Sequence, residues 1–156
     1  MGIRGDSSWN VPEPAFVLYK GEIVGYTISN DMSSRPIEGE NPLYLPQAKV
    51  YDRCCAIGPP IATPETAGNP QDLHMECAIL RDGEEVFHGQ ASTAQMSRCV
   101  SDLADWLQRR NPVPDMTTVL MGTAIVPPLD FTLRPGDVVR ITIEKLGTLQ
   151  NTVVEV

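Results

Sequence analysis

Several things are scarce in this chain, and each scarcity removes a class of function. Basic residues are few: 12 Lys and Arg stand against 20 Asp and Glu, a formal net charge of −8 over 156 residues. Such a surface repels phosphate backbones and anionic bilayers, so neither nucleic acid nor a membrane is an expected partner. No apolar run approaches the roughly 20 residues that a spanning helix needs, and the opening MGIRGDSSWN has no hydrophobic leader core. The Met-Gly start also lacks a lipid-attachment pattern, because Asp6 stands where that pattern needs Ser or Thr. The 4 cysteines contain no C-x-x-C pair, and the adjacent Cys54 and Cys55 cannot readily bridge each other. Reduced thiols in a cytoplasm are the expectation. Histidine is limited to His74 and His88, and neither stands in a motif that carries chemistry.

What is present points to one β-rich domain over residues 1–156. A 42% hydrophobic content excludes a disordered chain, while 14 Pro and 12 Gly predict many turns and few long helices. AFVLYK (15–20) and residues 22–29 read as two strands joined at Lys20-Gly21, with Pro12 and Pro14 making an extended lead-in. Hairpin strands are antiparallel, so Glu13 before the first and Asp31 after the second fall at the same end. They should be neighbours. Residues 36–49 hold three prolines and a glycine and read as a structured loop, extended at most over 43–45; residues 57–71 read as a surface connection. A second hairpin spans 73–80 and 84–89 around Arg81-Asp82-Gly83. Ser92 and Gln95 fit a capping box, and Met96, Val100, Leu103 and Leu107 recur at helical spacing, which predicts a helix over about 94–110 ending at Asn111-Pro112. A strand over 118–122 and a third hairpin around Gly147 complete the chain.

The densest chemical information lies in residues 22–60. The second strand delivers Asn30-Asp31 to its end, Ser33, Ser34 and Arg35 follow, and Lys49 returns a cationic amine from between apolar neighbours. By itself a strand-end aspartate is an ordinary turn or capping residue, and serines in a loop commonly satisfy local hydrogen bonds. Arg35 could clamp a carboxylate with its planar fork. Cys54 and Cys55 read as small apolar side chains, and the scattered acidic residues as a solvated surface.

Taken together, GDSSWNVPEP, GYTISNDMSSR, IEGENPLYLPQAKVYD, the IGP at 57–59, RDG, MGTAIVPP and LRPGDVVRITIEKLGTLQN resemble the fumarylacetoacetate hydrolase family, and within it the bacterial members that act on 2-keto-3-deoxy sugar acids. The resemblance implies a mainly β, β-rich α+β fold: a mixed β-sandwich or roll with one main amphipathic helix, assembled as a homodimer. It implies Mg²⁺ or Mn²⁺ held by carboxylates and chelated by a small 2-oxo acid substrate, a hard cation on oxygen ligands that stabilises an enolate. By the same resemblance Glu13 and Asp31 are metal ligands, Lys49 is catalytic, and Thr123, with Arg35 and Ser33, contacts substrate. Two departures accompany the match. Ala15 stands where the family has the second glutamate of a Glu-x-Glu pair, and the chain starts too late to contain the N-terminal His and Glu that activate water in family enzymes. The implied function is a metal-dependent hydrolase or lyase, dehydrating a 2-keto-3-deoxyarabinonate-type acid. C–C hydrolysis, isomerisation, decarboxylation and a non-catalytic descendant that keeps the fold remain open.

Overall fold

The computed structural model describes residues 1–5 and 8–156, with the backbone alone at Pro59. Asp6 and Ser7 of the opening motif therefore lie outside the described residues. In chain order the strands are β1 (Gly2–Ile3), β2 (Ser8–Tyr19) and β3 (Glu22–Ser34), followed by the short helices α1 (Arg35–Glu40) and α2 (Leu45–Lys49). Then come β4 (Cys55–Ala62), α3 (Pro64–Ala67), β5 (His74–Arg81), β6 (Glu84–Ser92), α4 (Val100–Gln108), β7 (Thr117–Leu120), β8 (Val138–Ile143), β9 (Gly147–Thr152) and β10 (Val154–Glu155). Among the described residues these make two four-stranded antiparallel sheets, ordered β4-β3-β2-β7 and β6-β5-β8-β9, and a parallel β1-β10 pair. The β-rich class expected from the sequence is the observed one.

Period-2 alternation puts Phe16 and Leu18 of β2 and Tyr26, Ile28 and Met32 of β3 on the face turned to the second sheet, where Met75, Cys77, Ile79, Val139, Ile141 and Ile143 meet them in one core. Two polar groups cross this interface: Asn10 Nδ2 donates to Cys77 Sγ at 3.4 Å and Asn30 Nδ2 to Asn151 Oδ1 at 3.2 Å.

Four boundaries differ from the sequence expectation, each for a physical reason. The first hairpin is longer at its open end, because Pro12 and Pro14 lie inside β2 opposite Asn30 and Ile28. The Pro14 carbonyl accepts from Met121 N on the side away from β3, so the missing N–H faces an edge beyond the four-residue β7, where no ladder requires it. Residues 57–62, expected as connection, belong to β4, an edge strand whose register with β3 breaks between Gly58 and Ala62, where Pro59 and Pro60 have no ladder partner to lose. Residues 36–49 are helical turns, since Pro36, Pro42 and Pro46 each occupy a first-turn position, where no N–H is missed. The capping box of Ser92 and Gln95 caps a separate 3₁₀ turn, Thr93–Gln95, and α4 starts afresh after Cys99.

The chain after β7 is tied back by an ion pair between a partly exposed arginine and a buried carboxylate. Arg81 at the end of β5 donates to both oxygens of Asp137, each at 2.8 Å, and to Thr132 O at 3.1 Å, while Arg134 N caps the same carboxylate at 2.8 Å. Asp137 is 1% exposed. Removing the cation strands that carboxylate in a low-dielectric site, so Arg81→Met is expected to lower unfolding free energy by about 3–5 kcal/mol in urea titrations. A loss below about 1 kcal/mol would mean that the pair is solvated.

Candidate functional site

Register decides which side chains meet. β2 and β3 pair with Trp9 opposite Ser33, Val11 opposite Asp31, Glu13 opposite Ser29 and Ala15 opposite Thr27. Opposed residues project to the same side, so these eight share the face turned away from the main core. Glu13 and Asp31 are diagonal neighbours there, with backbones about 7–8 Å apart. Glu13, Ser29 and Ser33 are buried, and so is Ala15, two residues along the strand from Glu13 on the same face.

The helical turns after β3 cover this face. Asn41 Oδ1 accepts from Leu43 N at 3.0 Å and starts the 3₁₀ turn Pro42–Tyr44; α2 then closes with Val50 N on Pro46 O at 2.8 Å. Lys49, the last residue of α2, turns its ammonium back onto β3. Its Nζ donates to Asp31 Oδ2 at 2.7 Å and to Ser33 Oγ at 2.6 Å. On the opposite side, Gly122 N donates to Glu13 Oε2 at 2.6 Å. Gly122 holds φ +88°, a conformation costly for any residue with a Cβ, which is why a glycine follows Met121 here. Thr123 Oγ1 accepts from Ile125 N at 3.0 Å and lines a cavity of about 300 Å³ with Met75, Met96, Met121 and Arg98. Gly122, whose N–H binds Glu13, also lines that cavity, which does not include Glu13, Asp31 or Lys49.

Electrostatically both carboxyls are shifted toward their neutral forms. Burial pushes the Glu13 carboxyl up to about 6; the Gly122 N–H opposes this, the charge of Asp31 adds to it, and that of Lys49 lowers it. Burial also raises Asp31, against the hydrogen bond and charge of Lys49, with the charge of Glu38 raising it further. Two carboxylates held out of water beside each other form a hard-oxygen donor set whose repulsion a cation relieves. Among the described residues no third His, Cys, Asp or Glu completes a metal-binding cluster with them.

The structure thus brings together Asp31, Lys49, Ser33 and Glu13, and places Thr123 at the adjoining loop. Arg35 is engaged elsewhere: its guanidinium donates to Pro128 O at 2.8 Å and Pro127 O at 3.4 Å and stacks 4.8 Å from the Trp9 ring, pinning the segment after Thr123. Sequence reasoning passed over three groups. Cys55 lies opposite Asp31 on β4, its thiol pushed up to about 11 by burial and then by the charges of Asp31, Cys54 and Glu13. The Gly122 N–H was invisible because it is backbone. Glu38 lies on α1, its charge raises the Asp31 carboxyl, and no spacing in the sequence marks it.

Comparison with known proteins bears on this arrangement. The family model described as fumarylacetoacetate (FAA) hydrolase C-terminal matches residues 19–154. The chain is 54% identical over 158 residues to a probable 2-keto-3-deoxyxylonate dehydratase of Haloferax volcanii, covering all of this chain and 55% of that protein. It is 45% identical over 152 residues to a 2-dehydro-3-deoxy-D-arabinonate dehydratase of Saccharolobus solfataricus, covering 96% of this chain and 51% of that one. A solved structure of 2-keto-3-deoxy-D-arabinonate dehydratase complexed with magnesium and 2,5-dioxopentanoate superposes with a TM-score of 0.96 at 44% identity, over 100% of this chain and 57% of that one. The chain spans about half the length of these relatives.

The raised Glu13 carboxyl has a measurable consequence. A carboxyl that holds its proton more tightly when folded contributes stability below its unfolded value near 4.5, and that contribution is lost as the pH rises through about 6. The rise corresponds to roughly 2 kcal/mol. In chelator, Glu13→Gln is therefore expected to raise stability by up to about 2 kcal/mol at pH 7.5 and to change it little at pH 4.5, by denaturant melts at each pH. Equal effects at both pH values would contradict burial of the charged group.

Proposed function

Because the chain belongs to the fumarylacetoacetate hydrolase C-terminal family, we propose that it is the metal- and substrate-binding domain of a divalent-metal-dependent lyase. Its substrate class is the small 2-oxo acids, and its reaction the dehydration of a 2-keto-3-deoxy sugar acid of the arabinonate or xylonate type. The observation that carries this reading is the convergence of Glu13, Asp31, Lys49 and Ser33 on one sheet face, in a chain 54% identical to a probable dehydratase.

Glu13 and Asp31 would hold Mg²⁺ (or Mn²⁺). The donor set fits, since magnesium is commonly bound by one or two carboxylates and keeps its remaining positions for water and substrate. Bound there, the ion would supply Lewis-acid polarisation to the 2-oxo group of the substrate. Lys49 holds its ammonium on Asp31 and would orient the substrate carboxylate while neutralising its charge. Ser33 fixes that ammonium, Thr123 would present its hydroxyl and backbone to the substrate, and Arg35 would act through the loop that it pins. Residues 1–156 are read as one catalytic domain. Leu43, Val50 and Leu129 stand 83%, 75% and 88% exposed, which supports burial against a second copy in a homodimer, testable by sedimentation. The four free thiols support a cytoplasmic setting; no helix among the described residues is long and apolar enough to cross a membrane.

A second reading, a family member that keeps the fold without turnover, is favoured by Ala15 and by the two-carboxylate donor set. Calorimetry of Mg²⁺ with oxalate, followed by turnover of 2-keto-3-deoxyarabinonate, separates the two. The dehydratase reading predicts binding that Asp31→Asn abolishes, and a turnover that Lys49→Ala lowers by about 10²–10³-fold. Absence of Mg²⁺–oxalate binding, or turnover unchanged in Lys49→Ala, would overturn it.

A further inference from the structure

The cavity of about 300 Å³ beside Gly122 and Thr123 shares none of the charged groups of the carboxylate face, since Glu13, Asp31 and Lys49 are absent from its lining. It forms where several elements meet. β5 supplies Met75, and the capping box of Ser92 and Gln95 fixes the 3₁₀ turn that follows β6. Residues 96–99 then lead to α4, whose start is anchored by Val100 N donating to Gln71 Oε1 at 2.7 Å and whose Leu103 lines the cavity. The loop after β7 adds Met121.

Met75, Met96, Leu103 and Met121 make an apolar wall. Methionine side chains are unbranched and polarizable, so such a wall adapts to short apolar chains. The volume stands at the lower end of the range for small-molecule sites, roughly 300–1,000 Å³. The polar part of the lining favours an acceptor. Ser92 Oγ already accepts from Ala94 N at 3.1 Å, Gln95 Oε1 from Ser92 N at 3.0 Å and Thr123 Oγ1 from Ile125 N at 3.0 Å. What these side chains have left to offer is their hydroxyl and amide protons. Arg98 is the one charged side chain in the lining, and its guanidinium has no hydrogen bond, ion pair or ring contact among the described residues. In a chain where 20 acidic residues outnumber 12 basic ones, an unpaired arginine beside an uncharged wall selects an anion.

We propose that this cavity is a second ligand site, for a small monocarboxylic acid with a short apolar chain. The carboxylate pairs with Arg98 and takes hydrogen bonds from Ser92 and Gln95, while the chain lies among the methionines. Binding there is non-covalent and needs neither the metal nor the dehydration, so the site stands or falls apart from that reading.

The test is a titration with hexanoate in EDTA, followed by NMR of ¹³C-methyl methionine, with 1-hexanol as the uncharged control. Of the 6 methionines in the chain, Met75, Met96 and Met121 line the cavity. Hexanoate is expected to shift their methyls, saturating with a Kd of about 1 mM for so small a ligand, and to leave those of Met1, Met32 and Met116 in place. Arg98→Gln, a change at an exposed residue, is expected to weaken hexanoate by about 10-fold or more and hexanol little. Absence of a saturable shift, shifts spread over every methionine, or equal hexanoate affinity in Arg98→Gln overturns the proposal. Adding Mg²⁺ and oxalate is expected to leave hexanoate bound; displacement would make the cavity part of the first site and overturn the assignment of a second one. A protein that binds hexanoate at these methyls but binds no Mg²⁺–oxalate keeps this site and loses the dehydratase reading.

Discussion

The constraint on which the structure depends is the pairing register of β2 and β3. Twelve and thirteen residues long, these strands carry two sets of side chains at once: Phe16, Leu18, Ile28 and Met32 toward the core, Glu13, Ser29, Asp31 and Ser33 toward the site. A slip of one residue would exchange the two sets, burying carboxylates between the sheets and exposing the core. The hydrophobic core therefore sets the geometry of the polar face. Selection of the register by many apolar contacts explains how two buried carboxylates that repel each other can be held side by side.

The cost of that placement is offset locally. Lys49 reaches Asp31 from a five-residue helix, and Gly122 reaches Glu13 from a glycine turn on the far side. Neither partner lies near its carboxylate in sequence, and each arrives by a short, sharply defined segment. The proline-started turns after β3 aim Lys49, while Arg35, stacked on Trp9 and bonded to the carbonyls of Pro127 and Pro128, holds the loop that follows Gly122 and Thr123. The site is a sheet face closed by two loops.

Much of this was legible in the sequence, through two kinds of signal. Alternation located the hairpins, and antiparallel geometry alone made Glu13 and Asp31 neighbours; motif resemblance singled out Lys49 and Thr123. Proline misled the boundaries. At Pro12, Pro14, Pro59 and Pro60 it sits on strand edges without a ladder partner to lose, and at Pro36, Pro42 and Pro46 it starts a helical turn. Period and composition cannot distinguish those positions from breakers, because the difference lies in which neighbour a strand edge faces. Ala15 is visible in the sequence, and in the structure it is buried beside Glu13 on the same strand face, so that position of β2 adds no carboxylate to Glu13 and Asp31.

The central claim is that one face of β2 and β3 is built to hold a divalent cation between Glu13 and Asp31 with Lys49 beside it. A crystal structure with Mn²⁺ and oxalate, using the anomalous signal of the metal, tests this most directly. The account predicts a single strong anomalous peak within about 2–2.5 Å of an oxygen from each carboxylate, and the Lys49 ammonium within hydrogen-bonding distance of oxalate. A peak elsewhere, or no peak with both carboxylates still facing each other, would contradict it.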